Sequence, residues 1–148
     1  MVDAAFLQRL MAEAAREEVQ QLVGAVVHHG GNVLLLKRPK DDFMGGIFEL
    51  PSGKVEPGEK PDEALDRELK EETGLTMSSI REYLGHFDYP SGSGKTSRQF
   101  NFAIDVVAPE PVDLSEHDSY LWASLTDELP VTGAVKGVLA KYREALAV

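Results

Sequence analysis

Residues 53–75 read GKVEPGEKPDEALDRELKEETGL, and the segment Arg67–Leu75 at the end of this stretch contains three glutamates. If the segment is helical, Glu68, Glu71 and Glu72 stand at positions i, i+3 and i+4 and lie within about 100° of one another on one helical face. Like charges at these spacings destabilise an isolated helix. A cation held among the carboxylates would remove that repulsion, so the spacing points to a metal site.

The helix that carries the glutamates is predicted to begin at Pro61 and to end at Thr73. Proline is favoured in the first turn because its missing N–H has no helical partner there. Asp62 and Glu63 lie near the positive end of the helix dipole, where negative charge is stabilising. Gly74 is suited to the left-handed conformation that commonly ends a helix.

The same glutamates border the apolar stripe of this helix. On a helical wheel they lie beside Ala64, Leu65 and Leu69, and the opposite side carries Glu63, Asp66 and Lys70. A solvated charge run is the alternative, but it would lie opposite the leucines. We therefore expect all three carboxylates to face away from bulk water. A hard cation such as Mg²⁺ takes oxygen ligands of this kind. Arg67 is predicted to pair with Glu59 of the preceding loop.

The rest of the chain predicts a layered α/β (α+β) domain with a mixed sheet. Its N-terminal segment, residues 1–20, is predicted to form an amphipathic helix over 3–18, ahead of a main domain at 21–148. Period and composition predict the remaining elements. They are strands at 21–29, 32–38, 47–50, 79–89, 98–108 and 119–123, and a final helix at 133–146.

Composition excludes several classes of function. The 148 residues fit one domain, and the net charge of −10 argues against a nucleic-acid polymer as partner. The absence of cysteine excludes disulfides, thiolate zinc sites and cysteine nucleophiles. Neither a secretory leader nor an apolar run of about 18 residues is recognisable, so we expect no membrane partner and a cytoplasmic location.

Gly53, Glu59 and the run Arg67–Leu75 match, residue by residue and gap by gap, the Nudix box. The chain therefore resembles the Nudix hydrolases, and most of its predicted elements follow that family. The resemblance implies an α/β/α sandwich, here with an extra N-terminal helix. It also implies a loop–helix–loop that binds Mg²⁺ or Mn²⁺ and hydrolyses a small nucleotide, a nucleoside diphosphate linked to another group.

Carried onto this chain, the resemblance assigns roles to the acidic residues. The metal ligands would be the carbonyl of Gly53 and the carboxylates of Glu68, Glu71 and Glu72. Residues that orient such ligands matter for metal affinity, and the candidate catalytic set is Glu59, Arg67, Glu71, Glu72 and Glu116. Glu72 and Glu116 are alternative proton acceptors, and Glu116 is equally interpretable as a solvent-facing loop acid. His117 is predicted to pack structurally, since Mg²⁺ prefers oxygen.

Residues outside the box are candidates for substrate binding. Arg38, at the end of the second strand, is predicted to contact phosphate, and Phe48 stands where the family often has tryptophan. Ser52 stands where glycine is frequent, and neither departure is expected to affect the metal chemistry. Aromatic side chains that either stack on a base or belong to the core are Phe43, Phe48, Tyr89 and Phe102.

The resemblance leaves three activities open. A MutT-type enzyme that cleaves a nucleoside triphosphate to monophosphate and pyrophosphate is the favoured interpretation. An ADP-ribose or nucleotide-sugar pyrophosphatase is the alternative, because Pro90 lies fifteen residues beyond Leu75 and ELPSG is similar to the ELPAG of that subgroup. A non-hydrolytic nucleotide-binding regulator usually has an eroded box, and this box is intact. A homodimer is an open alternative for assembly.

Overall fold

Helices cover both faces of one mixed sheet. The computed structural model describes residues 2–41, 45–92, 94–126, 128 and 130–146. Its helices are α1 (Ala4–Arg16), α2 (Pro61–Thr73) and α3 (Gly133–Leu146). Its strands are β1 (Gln20–His29), β2 (Asn32–Lys37), β3 (Phe48–Glu49), β4 (Ser52–Lys54), β5 (Met77–Pro90), β6 (Thr96–Val106) and β7 (Ser119–Ser124). None of the helices in these ranges is long and apolar enough to cross a membrane.

The sheet is mixed, as the sequence predicts. β1 runs parallel to β6, with Gln20 opposite Ser97 and Val27 opposite Ile104. The other strand pairs in the described ranges are antiparallel: β1 with β2 and β4, β2 with β3 and β7, and β5 with β6. In the sequence, β3, β4, α2 and β5 come between the parallel strands β1 and β6. This long connection contains the whole glutamate motif.

Two apolar clusters lie on opposite faces of the sheet and create the α/β/α layering. On one face, Val23, Ala25 and Val27 of β1 pack with buried residues of α1 and α2. On the other face, Val26 packs with buried residues of α3. This alternation follows from the two-residue period of a strand, and it confirms the predicted α/β/α sandwich with an additional N-terminal helix.

Element bounds follow the sequence where local signals are strong. α2 has the predicted limits, and Gly74 caps it with φ 74°. α1 is shorter than predicted and ends at Arg16, because the chain turns into β1 through Glu18 with φ 55°. β4 was not predicted, since SGK has no strand periodicity; it forms because β1 pairs with it. The division of the chain at residue 20 stays a prediction.

The end of α1 is held to the sheet by a nearly buried arginine. Arg98, on β6, has a side chain only 7% exposed. Its Nε and Nη2 donate to the two carboxylate oxygens of Asp88, at 2.8 and 2.9 Å, and its Nη1 donates to Glu17 at 2.7 Å. Hydrogen bonding to Arg98 lowers the pKa of both Asp88 and Glu17. The N-terminal helix is thus fixed to the parallel strands by charge as well as by packing.

An Asp88→Asn variant is expected to be destabilised by about 1–3 kcal/mol at pH 7, because Arg98 loses a charged acceptor. The native pKa of Asp88 lies below its unfolded value, so the ion pair contributes fully above about pH 4 and is lost as the pH falls further. The stability difference between wild type and variant, measured by urea unfolding, should therefore shrink between pH 6 and pH 3.

Asp105→Asn is the matched control for this prediction. Asp105 pairs with Arg81 at 3.6 Å, and both side chains are 42% exposed. Exposed pairs of this kind contribute at most about 1 kcal/mol, so this variant should differ little from wild type at either pH. Equal pH dependence of the two variants would show that the buried arginine network does not stabilise the fold.

Candidate active site

β4 brings the backbone of Gly53 against helix α2. A β-carbon at residue 53 would overlap the carboxylate of Glu68, so any other residue here would displace that carboxylate. Gly53 pairs with Val23 of β1, while Leu65 and Leu69, beside Glu68 on α2, are buried in the core. The backbone of residue 53 and the carboxylate of Glu68 are therefore neighbours, as the box predicts.

Arg67 connects α2 to the loop before it. Its Nε donates to Glu59 Oε2 at 2.7 Å, and its Nη2 donates to Glu59 Oε1 and to the carbonyl of Lys54, both at 2.9 Å. The pairing with Glu59 confirms the sequence prediction. Acceptance of the hydrogen bond from Arg67 lowers the pKa of Glu59 and keeps it ionised. The loop, β4 and α2 are thereby held in one arrangement.

An Arg67→Lys variant is expected to lose this arrangement although it keeps the charge. A lysine ammonium is a single point and cannot span Glu59 and the Lys54 carbonyl as the planar guanidinium does. We expect a loss of about 1–3 kcal/mol in unfolding free energy and about 10–100-fold in divalent-cation affinity. Urea unfolding and Mg²⁺ titration by calorimetry measure the two effects.

Arg9→Lys is the control, because the Arg9 guanidinium lies over the Phe6 ring of α1, outside the loop–helix–loop. That substitution should leave Mg²⁺ affinity unchanged. If Arg67→Lys and Arg9→Lys bound Mg²⁺ alike, Arg67 would have no role in ordering the ligands.

The third nitrogen of Arg67 lies between two glutamates of the motif. Nη1 donates to Glu68 Oε1 at 2.9 Å and to Glu71 Oε2 at 3.3 Å. Glu68 is largely buried, and its burial raises the pKa of its carboxyl, whereas the Glu71 side chain is 59% exposed. The expectation that all three glutamates avoid bulk water is therefore wrong for Glu71, which reaches outward along the helix surface to Arg67.

Glu72 is the most enclosed of the three glutamates, with 14% of its side chain exposed. The backbone N–H of Ser52 donates to its Oε1 at 2.8 Å. Burial raises the pKa of the Glu72 carboxyl to about 8, and the nearby negative charges of Glu68, Glu49 and Glu116 add to this effect. Ser52 thus contacts the motif directly through its backbone, which the sequence did not indicate.

The chemistry of these donors fits a hard divalent cation. In the described part of the chain, no group of three or more acidic or histidine side chains stands ready to bind a metal. Instead the Arg67 guanidinium satisfies Glu68 and Glu71. The candidate ligand atoms of these glutamates are oxygens, the type of ligand that Mg²⁺ and Mn²⁺ prefer. Burial and like charges raise the pKa of the Glu72 carboxyl to about 8, and a bound cation would favour its ionised form.

The remaining predicted site residues differ in their burial and in their contacts near this centre. Glu116 is exposed in the loop before β7, close enough for its charge to act on Glu72. Arg38 donates from Nη1 to Glu49 at 3.1 Å. Phe48 packs partly buried against the α3 cluster. Phe102 is fully buried, so of its two alternatives the core position is the one observed. Phe43 lies outside the described residues.

Glu49 and His117 were not predicted as site residues. His117 Nε2 lies 2.7 Å from Glu49 Oε2, and its Nδ1 lies 3.9 Å from Glu72 Oε2. The histidine contacts side chains of the site as well as packing structurally, which extends the sequence interpretation. The contact joins residues 68 positions apart in the chain, and no local pattern signals it.

A large cavity of the molecule lies elsewhere. Its volume is about 870 Å³, and it is lined by α1, the start of α2 and β5, with Leu7, Met11, Pro61, Met77 and Ile80 among its lining residues. Glu68, Glu71 and Glu72 do not line it. Cavity size alone therefore does not mark the acidic centre, and we identify the site by its charge and its contacts.

Comparison with known proteins gives a family match over most of the chain. The sequence model of the NUDIX domain matches residues 19–142. The 8-oxo-dGTP diphosphatase of Proteus vulgaris is 35% identical over 77 residues, which is 51% of this chain and 68% of that protein. The ADP-ribose pyrophosphatase of Methanocaldococcus jannaschii is 41% identical over 89 residues, which is 60% of this chain and 52% of that protein.

A solved structure is similar over nearly the whole fold. The solution structure of the E. coli ORF135 protein superposes with a TM-score of 0.73 at 27% identity, covering 87% of this chain and 91% of that one. By sequence, the match to several curated relatives is shorter, at 52% of the Methanocaldococcus jannaschii protein and 44% of an ADP-ribose pyrophosphatase from Bacillus subtilis.

Proposed function

The chain belongs to the NUDIX family, and from this premise we propose that it is a metal-dependent pyrophosphohydrolase that acts on a nucleoside diphosphate linked to another group. One observation carries the proposal: the complete box folds so that the β4 segment with Gly53 lies against the edge of α2 that carries Glu68 and Glu72. Relatives named as 8-oxo-dGTP diphosphatase and as ADP-ribose pyrophosphatase support the reaction class.

In the proposed mechanism the chain supplies a charged, preorganised site. Glu68, Glu71, Glu72 and the Gly53 carbonyl would hold Mg²⁺ or Mn²⁺. When bound, the cation would neutralise the diphosphate and lower the pKa of a water that attacks phosphorus. Arg67 and Glu59 keep the loop and helix together, and the Ser52 N–H orients Glu72. Glu72 or Glu116 would accept the proton from the attacking water.

For the substrate, we favour a nucleoside triphosphate, cleaved to monophosphate and pyrophosphate. Arg38 would contact the phosphates, and Phe48 would border the base. ADP-ribose is the second candidate, supported by the placement of Pro90, although Pro90 also pairs with Thr96 at a strand end, as an ordinary turn residue would. A non-hydrolytic regulator is the third, and the intact box argues against it.

A nucleotide panel with Mg²⁺, scored for released pyrophosphate, AMP and phosphate, tests the proposal. We expect cleavage of several nucleotides, with a nucleoside triphosphate the best, because the site shows few polar groups that would reject one base sharply. ADP-ribose hydrolysis with every triphosphate slower by about a hundredfold, roughly 3 kcal/mol in the barrier, would transfer the assignment to the second candidate. Tight nucleotide binding without any cleavage would favour the regulator.

A further inference from the structure

Three side chains beside the acidic centre are linked to one another by hydrogen-bonding contacts. Arg38, just beyond β2, donates to Glu49 Oε1 at 3.1 Å, and His117, before β7, lies with Nε2 2.7 Å from the other carboxylate oxygen of Glu49. We call Arg38, Glu49 and His117 the brace. β2 pairs with both β3 and β7, so the brace joins the ends of three neighbouring strands.

The histidine of the brace is more enclosed than its loop position suggests. Its side chain is 6% exposed, and its Nδ1 is buried with no hydrogen-bond partner. Nε2, in contrast, lies at hydrogen-bonding distance from a carboxylate that can only accept when ionised, so Nε2 carries the hydrogen. The tautomer is fixed by Glu49, and the ring edge that carries Nδ1 faces Glu72 at 3.9 Å.

We infer that His117 is a positioning residue: by donating from Nε2 to Glu49 it holds Glu49 in place, and Glu49 in turn holds Arg38 toward the substrate. The inference rests on the proposed function, in which Arg38 contacts the phosphates. Glu49 is shared between two donors, so loss of the histidine donor leaves it free to rotate and to release the guanidinium. The consequence falls on substrate binding, because none of the three brace residues belongs to the proposed metal ligands.

Two substitutions at residue 117 distinguish the roles of the two ring nitrogens. Glutamine places its amide nitrogen near the position of Nε2 and keeps a donor for Glu49, whereas asparagine is one methylene shorter and reaches only the position of Nδ1. His117→Asn is expected to raise KM about tenfold or more, the usual scale for a lost hydrogen bond to a charged group, with kcat changed far less. His117→Gln should restore KM to within about threefold of wild type.

Further variants control for folding and for general histidine loss. Glu49→Gln should raise KM as His117→Asn does, because it removes the charge that both donors share. His29→Asn alters an exposed histidine and should change nothing. Thermal unfolding establishes that each variant is folded, and if His117→Asn does not fold, the comparison of Glu49→Gln with His117→Gln carries the test.

Readouts other than turnover keep this inference separate from the proposed function. Imidazole ¹⁵N NMR should show His117 protonated at Nε2 in wild type. Calorimetry with α,β-methylene-ATP should show weaker binding to His117→Asn but not to His117→Gln. The rise in melting temperature on adding Mg²⁺ should be equal in wild type and both His117 variants.

Several results would overturn the inference. Equal KM in wild type and His117→Asn, or equal losses in the asparagine and glutamine variants, would show that the Nε2 contact positions nothing. Loss of the Mg²⁺ response in His117→Asn would show that the histidine supports metal binding and not substrate binding. A wild-type enzyme that binds the analogue but cleaves no nucleotide would refute the proposed function while leaving the brace supported by the binding and NMR measurements.

Discussion

A Glu72→Gln variant is expected to lose about 10³-fold in kcat, equivalent to roughly 4 kcal/mol in the barrier, because the charge that holds the cation is removed. Its fold should remain intact. Glutamine has nearly the same shape, and its carbonyl can still accept the hydrogen bond from the Ser52 N–H, which lies 2.8 Å from Glu72 Oε1. Steady-state kinetics with the best nucleotide of the panel and thermal unfolding in chelator measure the two effects.

The expected stability change has a sign opposite to that of most core substitutions. Glu72 is 14% exposed and near three other carboxylates, Glu49, Glu68 and Glu116, and its pKa is raised to about 8. At pH 7 without a cation, folding must therefore either protonate this carboxyl or bury its charge, and both oppose folding. The metal-free variant should therefore melt at the same temperature as wild type or higher. Mg²⁺ should raise the melting temperature of wild type but not that of Glu72→Gln.

Glu63→Gln is the control on the same helix. Glu63 accepts a hydrogen bond from the backbone N–H of Lys60 at the start of α2, and glutamine can accept it equally. This variant should keep both activity and the Mg²⁺ response. If Glu72→Gln unfolded while its folded fraction kept full specific activity, the glutamate cluster would be structural and the metal assignment would be wrong.

The sequence predicted the parts of the site that depend on local rules. α2 begins at a proline and ends before a left-handed glycine, signals that act within one or two residues, and its limits were predicted correctly. The Arg67–Glu59 pair was also predicted, because both residues belong to one short loop–helix unit. The box constrains this unit strongly enough for the motif to specify its local structure.

Features that depend on distant strands were not predictable in this way. β4 exists because β1 provides a partner, and the contact of Glu49 with His117 requires β2 to pair with both β3 and β7. The error at Glu71 has a different cause. A helical wheel gives a direction around the axis but not the neighbours along it, and the neighbour of Glu71 is Arg67 at the surface.

Removal of divalent cations is expected to abolish turnover, a loss of about 10³-fold or more, and added Mg²⁺ or Mn²⁺ should restore it. The physical reason lies in the contacts of the motif. Arg67 Nη1 contacts both Glu68 and Glu71, and Glu72 is enclosed beside like charges. A bound divalent cation would replace the guanidinium as the partner of at least one glutamate.

This exchange of partners is measurable apart from catalysis. Cation binding that stabilises only the folded chain raises its unfolding free energy by about 2.7 kcal/mol at one hundred times the dissociation constant. Arg67 would keep its two hydrogen bonds to Glu59 after the exchange, so the loop should stay ordered and the stabilisation should appear as metal binding without refolding. Full turnover in excess chelator would contradict the metal site, because carboxylates alone cannot offset the negative charge of a diphosphate.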